Sequence, residues 1–242
     1  MREPGYGASR ALLCPRQQFY KEISHISLED PSLAGLIVVF EGLPGCGKST
    51  IAREAVKRLE NTVLMPEVSE MAASRGFEVA DRASIGTETW FLTQYYTRGV
   101  EAERLRNEGK HVIMDRNYAS SLAFGFANFV ASSNPSLFMH FPSYIVNKAV
   151  GTLVKPDAYI FFRIPVEESM RRQDSREELK EELRTGSVDV LGNCEKFYKA
   201  FFSILEPEVS LYEIDAARPM DAVLEEVMGV LETLLGSQLS SS

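Results

Sequence analysis

Residues 36–50 read LIVVFEGLPGCGKST, and the order of features within them decides the fold. Residues 37–40 are all β-branched or aromatic, the make-up of a strand buried in a parallel sheet. They lead into Gly42, Gly47, Lys48 and Ser49 at the spacing G-x-x-x-x-G-K-[ST], followed by a helix-forming segment. Such a loop turns successive backbone N–H groups inward around a polyphosphate, at the positive end of the following helix. Glycine serves where the chain takes positive φ or where a side chain would block the phosphate. Gly42, Leu43, Pro44, Gly45, Cys46, Gly47, Lys48, Ser49 and Thr50 are therefore the expected nucleotide-binding residues. Lys48 is expected to reach the β- and γ-phosphates, and the Ser49 hydroxyl to ligate Mg²⁺. A plain Gly-Pro turn before a helix would leave the strand–loop–helix order unexplained. The expected cofactors are ATP and Mg²⁺.

Outward from this loop, periodicity repeats a strand-then-helix order. Strands are expected at 36–41, 62–66, 111–115, 158–164 and 209–214. Helices are expected at 48–59, 87–107, 120–129, 144–150, 166–172, 188–205 and 219–235, with Pro219 and Gly109 as boundary signals. Apolar strands alternating with helices imply an α/β fold, a five-stranded parallel sheet covered on both faces in three α/β/α layers. Ligands of such sheets sit at the carboxyl ends of the strands. That singles out Glu41, Glu67, Asp115, Arg116 and Arg163.

The third strand runs into HVIMDRNYASSLAF, which puts Asp115 and Arg116 at the ligand edge. A carboxylate there can hold Mg²⁺ through water, and a guanidinium can clamp phosphoryl oxygens; the plainer reading is an exposed ion pair. The fourth strand and its helix, PDAYIFFRIPVEESMRRQDSREELKEEL, carry Arg163, Arg171, Arg172 and Arg176 ahead of a Glu- and Lys-rich stretch. Charge pairs on a solvated helix account for that stretch. Arg172 and Arg176 are expected to serve as catalytic cations on a small lid at about 171–187, since phosphoryl transfer gains most from cations closing over the moving group.

With these residues in view, the chain resembles the thymidylate kinase and deoxynucleoside kinase group of P-loop kinases. The leading EG of the loop (40–50), the D/E-R-[SY] signature at 115–118, the lid region at 156–176 and the closing YEIDAARPMDAVLEEVMGVL from Tyr212 carry the likeness, over about 36–235. The resemblance implies a three-layer P-loop NTPase fold and phosphoryl transfer from ATP. Thymidylate kinases usually have an acidic residue where this chain has Pro44, and an R-E-P segment where it reads LMPEVSEM. Deoxynucleoside kinases place a glutamate there that acts on the sugar hydroxyl, which points to Glu67; their signature has Ser where this chain has Asn117.

The acceptor follows two branches. A sugar hydroxyl calls for a base, for which Glu67 stands ready, though a plain strand-end carboxylate reads equally well. A monophosphate needs no base but an arginine, Arg98 or Arg116. Candidate base-stacking rings are Trp90 and Tyr95 on the long helix, and Tyr118, Phe124, Phe126, Phe129, Phe138, Phe141 and Tyr144 in the uncharged span 117–147; core packing competes for each. Gln94 could read a base edge.

Composition narrows the classes. A net charge of −8 argues against a nucleic-acid polymer as partner. The span 117–147 is broken by Asn134, Pro135 and Pro142, so no membrane span is expected. Cys14, Cys46 and Cys194 suggest neither a disulfide framework nor a zinc site, and a cytoplasmic setting fits a reduced Cys46. His25, His111 and His140 lack metal-ligand spacing. Residues 1–35 read as a partly disordered arm, 36–238 as the kinase domain and 239–242 as a tail. The expected partner is a nucleoside or nucleotide acceptor, with a homodimer left open. A kinase for another small acceptor, or a non-catalytic nucleotide-binding module, competes; the run 147–150 lacks the aspartate of a guanine-specific N-K-x-D.

Overall fold

The computed structural model describes residues 35–74, 85–132, 154–175, 187–205 and 209–239. Its elements run β1 (Ile37–Gly42), α1 (Lys48–Arg58), β2 (Thr62–Met65), α2 (Val68–Ser74), α3 (Ile85–Asn107), β3 (His111–Asp115), α4 (Tyr118–Ser132), β4 (Ala158–Arg163), α5 (Val166–Asp174), α6 (Val188–Leu205), β5 (Ser210–Asp215) and α7 (Met220–Leu239). The five strands pair in parallel in the order β2-β3-β1-β4-β5, so the sheet is the expected one. β1 sits at its centre and is buried at every residue, as its unbroken apolar run dictates.

Two layers of helices cover the sheet. α1 and α7 pack together on one face, while α3, α4 and α6 cover the other, α4 and α6 lying side by side. The second interface is aromatic: Tyr159 and Phe161 of β4 meet Tyr198, Phe201 and Phe202 of α6, with ring centres 5.0–6.3 Å apart. The chain leaves β1 toward β2 on one side and returns from β3 to β4 on the other. The two middle strands therefore diverge in their connections at β1 and β3, which opens a crevice at their carboxyl ends.

The structure adds one element and moves one boundary. Residues 68–74 form α2, a short helix absent from the expected elements. α4 begins two residues earlier than the pattern suggested, because Asn117 caps it. The arm at 1–34, the helix at 144–150 and most of the lid, with Arg176, lie outside the described residues. No helix among the described residues is long and apolar enough to cross a membrane.

Candidate active site

The loop after β1 is shaped by its glycines. Gly47, the residue before α1, sits at φ 93°, a conformation costing any L side chain about 1–2 kcal/mol. A Cβ on Gly42 would lie 2.5 Å from the carbonyl oxygen of Phe162, so no side chain fits between β1 and β4 there. The first backbone bond of α1 runs from the Ile51 N–H to the Gly47 carbonyl. The amides of α1's first turn have no intrahelical acceptor, and no side chain caps the helix. These donors gather at the positive end of α1, the arrangement that binds a phosphate chain. Ser169 of α5 donates to the carbonyl of Pro44 at 2.7 Å and so props the loop from outside.

Lys48 is buried within this loop. Its Nζ donates to the carbonyls of Gly42 and Leu43, both at 3.0 Å, and lies 3.2 Å from Cys46 Sγ. The ammonium is thus held on the loop's inner side until a stronger anion competes for it. Beside it, the Ser49 hydroxyl donates to Asp115 Oδ2 at 2.5 Å across the β1–β3 crevice. Asp115 is 1 % exposed, and its Oδ1 has no hydrogen-bond partner among the described residues. Burial, and then the nearby Glu67 carboxylate, push its pKa above the ordinary range. A carboxylate with one oxygen on a hydroxyl and the other unpartnered is a donor set that suits a hard cation with oxygen ligands.

The third cluster forms where β3 ends. The Arg116 N–H still pairs with the Phe40 carbonyl (3.0 Å), but its φ of 65° turns the chain sharply. A non-glycine residue held in this region marks a position that the surroundings over-determine. The turn brings the Asn117 N–H to Glu41 Oε1 at 2.9 Å. Asn117 Oδ1 accepts from the Ala119 N–H at 2.9 Å, capping α4, and its Nδ2 donates to the Tyr159 hydroxyl at 2.8 Å. Asparagine does here what a serine is too short to do.

Arg116 is buried with its guanidinium among acids. Nη1 donates to Ser120 Oγ at 2.8 Å and lies 3.6 Å from Glu41 Oε2; Nε is 3.2 Å from Glu67 Oε1. Burial opposes its charge, but Glu67, Tyr198 and Glu41 outweigh that and raise its pKa well above the usual value. Glu67 keeps 30 % of its side chain exposed, so it alone of this pair faces the crevice.

The structure thus brings Lys48, Ser49, Asp115, Arg116 and Glu67 to one rim. Arg98 does not join them as a phosphate ligand: its guanidinium donates to the carbonyls of Met65, Asp115 and Arg116 and ties the ends of β2 and β3 together. Arg163 turns away, pairing with Glu213 at 2.8 Å beside a cavity of about 970 Å³ that Lys48, Ser49, Glu67 and Asp115 do not line. Arg171 pairs with Glu168. Arg172 stands against the loop, where a Cβ on Gly45 would lie 3.3 Å from its own Cβ. Its guanidinium donates to Glu168 and to the carbonyls of Ala216 and Ala217. Sequence reasoning left Ser120 and Tyr198 unremarked, and gave Glu41 no role. For Glu41 there was a signal: an acid closing an apolar, fully buried strand.

Comparison with known proteins then gives a concordant result. Residues 40–227 match the family model described as thymidylate kinase. A probable thymidylate kinase of Thermococcus kodakarensis is 27 % identical over 84 % of this chain and all of its own length. A thymidine kinase of Ictalurid herpesvirus 1 is 24 % identical over 81 % of this chain and 86 % of its own. Among solved structures, deoxyadenosine kinase from M. mycoides with bound dATP shares the fold with a TM-score of 0.67 at 18 % identity, over 81 % of this chain and all of its own.

Proposed function

The chain belongs to the thymidylate kinase family, and on that premise we propose that it passes the γ-phosphoryl group of Mg-ATP to the hydroxyl of a deoxynucleoside, with Glu67 as general base. It is an enzyme, a nucleotide or nucleoside kinase. The observation that carries the choice of acceptor is the Glu67–Arg116 contact of 3.2 Å at the rim. Two carboxylates already neutralise Arg116, so a monophosphate arriving there meets repulsion, whereas a neutral hydroxyl does not.

The loop amides and Lys48 hold the donor's phosphates, and Arg172 stands close enough to the loop to swing from the Ala216 and Ala217 carbonyls onto them; Arg176 completes the lid in this reading. Ser49 and Asp115 would hold Mg²⁺, which would supply positive charge beside the donor's phosphates; the orphan Oδ1 of Asp115 supports that fit. Glu67 takes the proton of the acceptor hydroxyl as its oxygen bonds to the γ-phosphorus. The bond to the bridging oxygen breaks and ADP leaves. Positioning and charge neutralisation supply most of the rate. A cytoplasmic setting belongs to this reading, supported by the free thiols Cys46 and Cys194.

A second reading, transfer to a nucleoside monophosphate, is favoured by the family model and the names of the archaeal relatives. Coupled ADP release against a panel of deoxynucleosides and their monophosphates separates the two. Turnover confined to monophosphates overturns the hydroxyl reading.

A further inference from the structure

Arg116 stands between two carboxylates that differ in every respect that matters for chemistry. Glu67 is partly open to the crevice. Glu41 is wholly buried and held by three donors: the Asn117 N–H at 2.9 Å, the Ser120 hydroxyl at 2.7 Å and the Tyr198 hydroxyl at 2.9 Å. Ser120 Oγ also accepts from Arg116 Nη1, so one hydroxyl links guanidinium and buried carboxylate. The Ser120 and Tyr198 hydroxyl oxygens lie 3.1 Å apart, each within hydrogen-bond reach of Glu41 Oε2. Three segments far apart in the chain meet here: β1, the β3–α4 turn and α6. Enclosed and saturated with donors, Glu41 has no path to a substrate. Its charge is nevertheless 3.6 Å from Arg116.

We infer that Glu41 is the permanent counter-ion and positioning residue of Arg116, secured from α6 by Tyr198, and that this frees Glu67 to turn to the acceptor. The inference rests on the hydroxyl reading above. If Glu67 were the sole partner of Arg116, turning it toward a hydroxyl would strand a buried cation, which is costly. With Glu41 fixed behind, Arg116 stays paired while Glu67 moves. The same contact with Asn117 steadies the left-handed turn at Arg116, so geometry and charge are set by one group.

Glu41→Gln keeps the shape but removes the charge, and should lower kcat with the acceptor about 10²-fold while the KM for ATP stays within about twofold. Tyr198→Phe should lower kcat about tenfold with the same split. In a Glu67→Gln background, Glu41→Gln should cost little more, because both act through one pair. An equal penalty in both backgrounds, or wild-type kcat in Glu41→Gln, overturns the inference. So does a parallel loss of ATP binding, which marks a merely structural role. Should Glu41→Gln fail to fold, Tyr198→Phe carries the same comparison. A crystal structure of the variant gives a readout without activity: Arg116 should shift onto Glu67. That shift in a chain that phosphorylates no nucleoside would sink the hydroxyl reading and leave the positioning role standing; an unmoved Arg116 would sink the role alone.

Discussion

The two halves of the site are built in opposite ways. The proposed donor half is one continuous stretch, β1, loop and α1, whose candidate binding groups are backbone amides left open by the glycine-shaped turn. The acceptor half has no such stretch. Glu67 follows β2, Arg116 follows β3, Arg98 comes from α3, Glu41 from β1 and Tyr198 from α6, and they meet only because the sheet and helices assemble. Backbone recognition is fixed by local conformation, whereas a buried side-chain network is fixed by packing. The donor half should therefore fail locally when altered, and the acceptor half should fail in coupled groups.

The harshest break falls on the donor side. Lys48→Ala should lower turnover by about 10³ or more, with circular dichroism unchanged, because the ammonium supplies charge that the phosphates need and little packing. Normal ADP release would show that the loop does not hold the phosphoryl donor. Glu67→Gln should cost about 10² in kcat with a deoxynucleoside acceptor and far less with a monophosphate. Equal losses on both would erase the contrast between base and bystander. Gly47→Ala forces a side chain to φ 93° with its Cβ 3.1 Å from Met220 Cε, and should cost about 1–2 kcal/mol in urea unfolding while raising the KM for ATP. An unchanged KM would mean that loop conformation matters less than assumed.

The smallest effect serves as a control far from the rim. His111 opens β3, and its Nδ1 accepts from the Leu36 N–H at 3.1 Å. Burial pushes its pKa below 6.5. The unfolded chain therefore binds a proton at higher pH than the folded one, so stability holds above pH 6.5 and falls as pH drops below it. The melting temperature should decline slightly between pH 7.5 and 5.5, and His111→Asn, whose amide oxygen can take the same N–H, should flatten that decline. An identical slope in the variant would assign the effect to another group.

The reach of the sequence follows this division. Strand β3 and helix α6 emerged at their observed bounds, because their apolar spacing is unbroken and tertiary context had nothing to override. Helix α2 stayed hidden: seven residues after a proline carry too little periodicity to stand out. Arg98 and Arg163 show the limit best. Both are arginines near strand ends or on the acceptor helix, and nothing in their neighbours tells one fate from another. In the fold, one spends its hydrogens on backbone carbonyls and the other pairs with an exposed glutamate.

By itself, the order of residues determined the glycine-shaped loop before α1, the parallel sheet and the sheet edge at which the candidate site gathers, since each depends on neighbours within a few positions. Only the tertiary structure decided which charges share that edge. Glu41 and Tyr198 stand 157 positions apart, and no local pattern encodes a contact made by the packing of α6 against the central strands. A buried carboxylate gains its meaning from the donors that enclose it, and those arrive only when the chain has closed.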